Sequence, residues 1–236
     1  MPTIYLVPSV LAPEATDTIP AYVLDAVKKC QVIFAENERT ARRFLKSLDR
    51  NIVIDDFEWF AIHKAEKDLV KQFREKVQEN KNIAIISEAG CPGVADPGQV
   101  LVQAAQEMNC TIRPLVGPSS ILLALMASGM NGQQFEFVGY LPIDNTERCK
   151  KLKELEISSA KQNSTKIFIE TPYRNNQLID SIISNCNGET KLCVATNITD
   201  TGEQIVTRSI SFWKKNKPAL HKQPAIFLLF AGNSHQ

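Results

Sequence analysis

The sequence predicts an α/β fold made of two α/β domains, and three observations lead to that prediction. Its 236 residues are enough for two hydrophobic cores. In the first half, short apolar segments alternate with helical patterns across short links, which is typical of a mostly parallel sheet covered on both faces. Near the end, two strand-like segments at residues 204–209 and 225–230 are spaced for antiparallel or mixed pairing rather than for further βαβ units.

The first domain is predicted to span residues 1–115 and to hold a mostly parallel sheet of five strands. Its expected helices begin near Pro20, where proline suits a first turn, and near Thr40, Ile62 and Pro97. The third of these, residues 62–79, carries apolar residues at three- and four-residue spacing, which indicates an amphipathic helix. The expected strands lie at residues 4–7, 32–35, 52–54, 83–86 and 111–115.

The second domain is predicted to span residues 116–236 and to contain a mixed sheet. Residues 121–127 are apolar all round, so the helix there is expected to be buried and to end near Gly129. Residues 145–161 form a Lys- and Glu-rich helix, and a further apolar stripe follows Arg174. The expected strands lie at residues 136–140, 166–170, 191–196, 204–209 and 225–230.

Composition excludes several classes of protein. A formal net charge of +1 gives no global basic field of the kind that dominates nonspecific nucleic-acid binding. No apolar run is long enough to span a membrane and no signal peptide is recognisable, so the sequence predicts a cytosolic protein. The scattered cysteines predict free thiols, and the histidines, including His63 and His235, show no ligand spacing, so no metal is expected.

The stretch at residues 83–98, I-A-I-I-S-E-A-G-C-P-G-V-A-D-P-G, is the strongest candidate for a ligand site. An apolar strand ends in a Gly/Pro loop that feeds a helix, and such strand ends hold small molecules in open α/β sheets. The loop lacks both G-x-G-x-x-G and G-K-S/T, which excludes a dinucleotide fingerprint and a P-loop. For Asp96 alone, capping of the following helix is the favoured role. Cys91 is interpreted as a packing residue, since no histidine is close in sequence.

Other strand ends offer weaker candidates. Residues 8–13 are expected to line the same mouth as the central loop. Residues 117–120 either present hydroxyls to a ligand or only cap the buried helix. The run at residues 36–39 is read, without further information, as a solvated helix start. Tyr173 either stacks on a base or packs, and the basic set Arg39, Arg42, Arg43 and Lys46 is typical of a solvated helix face.

Together these motifs resemble those of a known family. Four motifs carry the resemblance, in the order A-E-N-E-R, I-S-E-A-G-C-P-G-V-A-D-P-G, P-L-V-G-P-S-S-I-L-L-A-L-M-A-S-G and F-V-G-Y-L-P. This order resembles the tetrapyrrole methylase superfamily, and more narrowly its 16S ribosomal RNA cytidine 2′-O-methyltransferase branch. The resemblance implies S-adenosylmethionine as methyl donor, a cofactor cleft between two α/β domains, a homodimer, and RNA of the small ribosomal subunit as a partner.

The resemblance also implies which residues contact the donor and the acceptor. Glu36 is the first candidate for a general base, and Arg39 is a candidate ligand for an RNA phosphate. The residues implied to bind the cofactor are Pro8, Glu88, Ala89, Gly90, Pro92, Val94, Ala95, Asp96, Ser119, Ser120, Leu141, Thr171, Ala195 and Thr196.

The chain departs from the branch at positions expected to face the acceptor. The branch motif P-S/T-P-I-G-N appears here as P-S-V-L-A-P, and A-E-D-T-R appears as A-E-N-E-R. S-D-A-G-T-P appears as S-E-A-G-C-P, and R-E-L-T-K appears as T-N-I-T-D, so that Asp200 stands where the branch has lysine. Three functions therefore remain: methylation of ribosomal RNA at a ribose 2′-OH, methylation of another small-molecule acceptor, or binding of S-adenosylmethionine without catalysis.

Overall fold

The computed structural model describes residues 1–62 and 66–232. The chain divides into two compact units, Met1–Ser119 and Ser120–Gln236; the boundary expected from the sequence lies between residues 115 and 116. Within the described ranges, none of the helices combines the length and the apolar composition that crossing a bilayer would need.

The first unit is a five-stranded sheet in which every pair of neighbouring strands is parallel, with the order β3-β2-β4-β1-β5. Its strands are Thr3–Val7 (β1), Val32–Ala35 (β2), Glu58–Ala61 (β3), Ile83–Ile86 (β4) and Thr111–Pro114 (β5). Its α-helices are Tyr22–Val27 (α1), Glu38–Leu48 (α2), Glu66–Gln78 (α3) and Gln99–Glu107 (α4).

Both faces of this sheet are covered, as the all-apolar pattern of its central strands requires. Val7, Ile33 and Ile86 point to one core, which also holds residues of α1 and α2. Ile4, Phe34 and Ile85 point to the other core, which is completed by α3 and α4. The alternation along each strand thus assigns successive side chains to opposite layers.

The predicted third strand is wrong in position. Residues 52 and 53 lie before a short 3-10 turn, Ile54–Asp56, which includes the last residue of the predicted strand. The third strand is instead β3, which begins at Glu58. Ile52 is buried in the core without belonging to the sheet. The predicted helix at residues 62–79 corresponds to α3, and its part at residues 63–65, including Ala65, lies outside the described residues.

The second unit is a mixed sheet with the strand order β6-β7-β10-β8-β9, in which β6 and β7 are parallel and the other pairs are antiparallel. This confirms the predicted fold class. Its strands are Phe135–Tyr140 (β6), Thr165–Ile169 (β7), Lys191–Thr196 (β8), Gln204–Ser209 (β9) and Ala225–Phe230 (β10). Its α-helices are Ser120–Ser128 (α5), Asn145–Gln162 (α6), Asn175–Asn185 (α7) and Ile210–Lys215 (α8).

Candidate functional site

The first unit gathers its strand-end loops at one edge of the sheet. Because β1, β2, β4 and β5 are parallel, the loops that follow them lie at the same edge. Pro8 is buried at the end of β1, Glu36 follows β2, and residues 87–98 follow β4. Ser119, after β5, closes the unit. This edge therefore holds all the candidate residues of the first unit, apart from Arg39 in the first turn of α2.

Two buried serines tie the loop after β4 to the loop after β1. Ser9 and Gly90 exchange backbone hydrogen bonds of 2.9 and 3.1 Å in an isolated antiparallel bridge. The Ser9 hydroxyl donates to the Ser87 carbonyl at 2.8 Å, and the Ser87 hydroxyl donates to the Gly90 carbonyl at 2.8 Å. Nothing in the local sequence pattern of Ser9 or Ser87 indicated these contacts.

Glycine is required at two places where the loops meet. Gly90 has a φ of +74°, which favours glycine over residues with a side chain. A Cβ atom on Gly117 would lie 2.3 Å from Pro8 Cβ, so the segment after β5 can pass over Pro8 only with glycine there. Cys91 fills the remaining space: its Sγ lies 3.5 Å from the Pro118 carbonyl oxygen, and burial raises the pKa of its thiol, as expected for a packing residue.

Asp96 does not occupy the helix N-cap that the sequence suggested. α4 begins at Gln99 with Gly98 as its N-cap. Asp96 Oδ1 instead accepts hydrogen bonds from the Gly98 N–H at 2.6 Å and the Gly93 N–H at 3.3 Å, which closes the loop on itself. Asp96 Oδ2 is enclosed and accepts no hydrogen bond within the described part of the chain. The loop therefore contains a carboxylate oxygen that lacks a donor.

Three carboxyl groups meet at the ends of β2 and β4. Glu36 Oε2 accepts the backbone N–H of Glu88 at 3.0 Å. Partial burial raises the pKa of the Glu36 carboxyl; the Glu88 N–H opposes this, and the facing carboxyls of Asp96 and Glu88 add to it. A single proton shared between Glu36 and Asp96 would reduce the repulsion of the two carboxyls and supply the donor that Asp96 Oδ2 lacks.

Glu88 is held against the first turn of α2. Its Oε1 accepts from Asn37 Nδ2 at 3.3 Å and from Thr40 Oγ1 at 3.4 Å. Asn37 is also the N-cap of α2, because its Oδ1 accepts the Thr40 N–H at 3.2 Å. A carboxylate at a helix N-terminus is stabilised by the helix dipole, so Glu88 has a structural role whatever else it contacts.

The remaining candidates of the loop differ in exposure. Ala89, Val94 and Ala95 are exposed, whereas Pro92 is buried. Ala95 has a φ of +56°, and a Cβ atom on Gly93 would have no heavy atom within 4 Å. The open side of the loop is thus formed by small side chains and accessible backbone.

In the second unit, Leu141, Thr171 and Thr196 lie at one edge of the sheet. β6 and β7 are parallel, and both β7 and β8 run antiparallel to β10, so all three strands end at the same edge. Leu141 is 3% and Thr196 4% exposed, and Ala195 is fully buried in β8. Ser120 is the first residue of α5.

An ion pair between the buried Glu170 and the half-buried Arg174, next to Thr171, was not expected from the sequence. Glu170 Oε1 accepts the Thr171 N–H at 2.6 Å and Arg174 Nη2 at 2.7 Å. Burial acts to raise the pKa of the Glu170 carboxyl, but Arg174 and the Thr171 N–H outweigh it and hold that pKa below its ordinary value. The pair fixes the backbone at Thr171, whereas Tyr173 is 70% exposed and packs edge-on against His221.

No group of three His, Cys, Asp or Glu side chains in the described ranges is arranged to hold a metal ion. The chemistry that the site offers is that of carboxylates, backbone amides and small side chains. Such groups suit an organic ligand that carries cationic or hydroxyl donors.

Comparison with known proteins identifies the class. The sequence profile of the tetrapyrrole (corrin/porphyrin) methylases matches residues 4–211, and the chain belongs to that family. This confirms the predicted resemblance, the class of S-adenosylmethionine-dependent methyltransferases and the predicted cofactor.

Proteins named "Ribosomal RNA small subunit methyltransferase I" are similar over most of the chain. The protein of Vibrio cholerae is 30% identical over 86% of this chain and 67% of its own length. That of Bacillus subtilis is 29% identical over 89% of this chain and 68% of its own length, and that of Micromonospora olivasterospora 29% identical over 86% and 62%. The chain thus spans about two thirds of the length of these curated relatives.

Solved structures share the fold at low sequence identity. Diphthine synthase has a TM-score of 0.68 at 10% identity, covering 98% of this chain and 90% of its own. The methyltransferase CobJ has a TM-score of 0.63 at 17% identity, covering 97% and 92%. Uroporphyrin-III C-methyltransferase from Thermus thermophilus, complexed with S-adenosyl homocysteine, has a TM-score of 0.57 at 12% identity, covering 98% and 97%.

Proposed function

We propose that this protein transfers a methyl group from S-adenosylmethionine to a ribose 2′-OH of small-subunit ribosomal RNA. The observation that carries the proposal is the convergence of the loop at residues 87–98 with Glu36 at one edge of the first sheet. The names of the relatives support the choice of RNA as acceptor.

The donor-binding role is proposed for the strand-end residues of both units. In the first unit these are Pro8, Glu88, Ala89, Gly90, Pro92, Val94, Ala95, Asp96 and Ser119, and in the second Ser120, Leu141, Thr171, Ala195 and Thr196. When bound, S-adenosylmethionine supplies an electrophilic methyl group on a positively charged sulfonium. The carboxylates of Glu36, Glu88 and Asp96 suit the positive charges of this molecule, and the enclosed Asp96 Oδ2 suits an amino or hydroxyl donor.

Glu36 is proposed as the general base that accepts the proton of the ribose hydroxyl. A hydroxyl is a poor nucleophile, so proton removal during attack speeds the reaction, typically by about 10²–10⁴-fold. The pKa of Glu36 is raised above its ordinary value, chiefly by burial, which makes its carboxylate a better proton acceptor than that of an ordinary glutamate. The Glu88 N–H fixes one oxygen of Glu36, which holds the carboxylate in place at the end of β2.

Arg39 is proposed to hold a phosphate near the reacting ribose. It is exposed in the first turn of α2, three residues after Glu36. Its planar guanidinium can donate two parallel hydrogen bonds to phosphate oxygens. Positioning of the acceptor is the main contribution required of the protein, because methyl transfer is an in-line displacement.

The proposed function includes an oligomeric state, a location and a partner. A homodimer in the cytoplasm with the small ribosomal subunit as partner is consistent with the family. Size-exclusion chromatography with light scattering would measure the oligomeric state directly.

The decisive experiment is transfer of label from S-adenosylmethionine carrying a tritiated methyl group to small ribosomal subunits that lack the modification. Label in a ribose of the RNA supports the proposal. Turnover with a tetrapyrrole or nucleotide but not with RNA would assign the second function, and tight donor binding by calorimetry without turnover on any acceptor would assign the third. Absence of binding of both S-adenosylmethionine and its demethylated product would refute all three.

A further inference from the structure

α2 carries a line of basic side chains on its outer face, here called the basic line: Arg39, Arg43 and Lys46, with Arg50 just beyond the helix. All four residues are exposed. Spacings of four and three residues place the first three on one side of the helix, over a length of about 10 Å. The line starts three residues after Glu36, the proposed base.

Within the described residues the basic line forms no close ion pair, unlike its neighbour Arg42, and the charge of Lys46 acts on Asp49 more weakly than that of Lys28. Arg42 lies over the Trp59 ring at 4.6 Å and pairs with Glu38 at 3.5 Å and Asp55 at 3.8 Å. In contrast, no carboxylate among the described residues forms an ion pair with the basic line. Asp49, the acidic residue nearest to Lys46 in sequence, is held by Lys28 at 2.8 Å.

The line therefore concentrates positive charge in a chain whose formal net charge is only +1. Like charges at four-residue spacing on a helix destabilise it by a few tenths of a kcal/mol, so this arrangement is not explained by stability. Lys46 Nζ donates to the Arg50 carbonyl at 3.1 Å, which holds the last two members of the line close together, and both residues are exposed. An anionic polymer running along the helix would neutralise all four charges.

We propose that the basic line binds the sugar–phosphate backbone of a single RNA strand and guides it to Glu36. This inference rests on the proposed function and assigns the substrate track for it. Contacts to phosphates fix the register and orientation of a nucleic acid without reading its bases. The line would thus position the strand, while selection of the methylated nucleotide falls to other groups.

The test compares the salt dependence of RNA binding in three forms of the full chain. The line variant is Arg43→Gln/Lys46→Gln/Arg50→Gln, which leaves Arg39 and Glu36 intact. The matched control is Lys150→Gln/Lys153→Gln/Lys214→Gln, which removes the same charge from exposed positions of the second unit. The probes are a fluorescein-labelled, single-stranded oligoribonucleotide of mixed sequence and unmethylated small ribosomal subunits.

Losing three phosphate contacts should reduce the steepness of the plot of log binding constant against log salt concentration by about 2. Between 50 and 200 mM salt, the affinity of the line variant should therefore fall about 20-fold less than that of the wild type. At low salt its KM for subunits rises by about 10-fold or more, whereas kcat at saturating subunits is unchanged. The variant Arg43→Lys/Arg50→Lys retains the positive charges and should show the salt dependence of the wild type. Calorimetry with S-adenosylmethionine verifies that each variant is folded.

The alternative outcomes separate the two proposals. A wild-type protein that methylates RNA, together with a line variant of unchanged slope and KM, would overturn the basic line alone. An equal loss in the control variant would also overturn it, since net charge rather than position would then matter. Failure of the wild type to methylate or bind either RNA would overturn the proposed function, and the basic line with it.

Discussion

Replacing Glu36 by glutamine should make the protein more stable and less active. In the wild type, Glu36 accepts the Glu88 N–H at 3.0 Å and faces Asp96, whose Oδ2 lacks a donor. The amide oxygen of glutamine can accept the same N–H, and its NH₂ group can donate to Asp96. The substitution removes a like-charge contact and supplies the missing hydrogen bond.

The size of the gain follows from the cost of the enclosed oxygen. An unsatisfied buried polar group costs about 1–3 kcal/mol. Glu36 and Asp96 are only partly buried, which places the gain at the low end, about 1 kcal/mol. For a domain of this size that corresponds to a rise in Tm of about 2–4 °C.

The gain should depend on pH. The pKa of Glu36 is raised above its ordinary value of 4.5, so the folded wild type retains a proton that the unfolded chain has released. The wild type consequently loses stability as the pH rises from 4.5 through the raised pKa. Glu36→Gln does not undergo this loss, so its advantage is full above that window and disappears below it.

Thermal unfolding followed by circular dichroism at neutral and at acidic pH measures both effects. Glu36→Ala is the control, since it loses the acceptor for the Glu88 N–H and should melt below the wild type. Methyl transfer by Glu36→Gln should fall by about 10²-fold or more if Glu36 is the base. A Tm below that of the wild type at neutral pH, or an advantage that persists unchanged in acid, would refute the reasoning.

Three further substitutions test the packing of the strand-end loops, and each is measured by thermal or denaturant unfolding. Gly117→Ala should destabilise the protein by about 1–3 kcal/mol, since its Cβ would clash with the rigid Pro8 ring; an unchanged Tm would contradict the close approach. Gly93→Ala should cost about 1 kcal/mol through its φ of +80° alone, because the space beside it is open. Arg174→Met should cost about 2 kcal/mol at neutral pH by leaving the buried Glu170 unpaired, and this loss should shrink as the pH falls through the lowered pKa of Glu170; a cost that does not vary with pH would argue against the ion pair.

Two strands of the first unit, β2 and β4, were located correctly because burial on both faces decides their apolar pattern. Residues 32–35 and 83–86 are fully buried, and a short continuous apolar run predicts such a strand directly. β3 was misplaced because it is half-buried throughout and begins with a charged residue. Its Glu58 looks like a loop residue in the sequence but pairs with Lys76 at 2.8 Å and Lys81 at 3.2 Å.

α8 is not among the helices expected from the sequence, because its short lysine-containing segment between two strands is typical of a turn. The Ser209 hydroxyl accepts the Phe212 N–H at 3.3 Å and caps the helix, while Trp213 is 5% exposed and donates its Nε1–H to the Leu192 carbonyl at 2.9 Å. Both the burial of Trp213 and its hydrogen bond to Leu192 depend on β8, which lies some twenty residues earlier in the chain. A pattern confined to a short window contains no information about that contact.

The candidate site was predictable to the level of its loops but not of its contacts. Parallel strands bring their carboxyl ends together, so the order of strands and helices was sufficient to group residues 8–13 with the loop at residues 87–98, whereas Glu36 became a candidate only through the family resemblance. The hydrogen bond from Glu88 to Glu36 joins positions 52 residues apart, and that from Ser9 to Ser87 joins positions 78 apart. Such contacts depend on the register of β1, β2 and β4, which no local periodicity determines.

The tie between Ser9, Ser87 and Gly90 has a consequence for the kinetics of ligand capture. Because the hydrogen bonds of this tie are internal and buried, the shape of the loop does not depend on a ligand to hold it. A ligand that meets an already ordered loop loses less of its binding energy to immobilising the chain. Donor association should therefore proceed in a single fast phase, whose observed rate rises linearly with donor concentration and shows no plateau from a slow rearrangement.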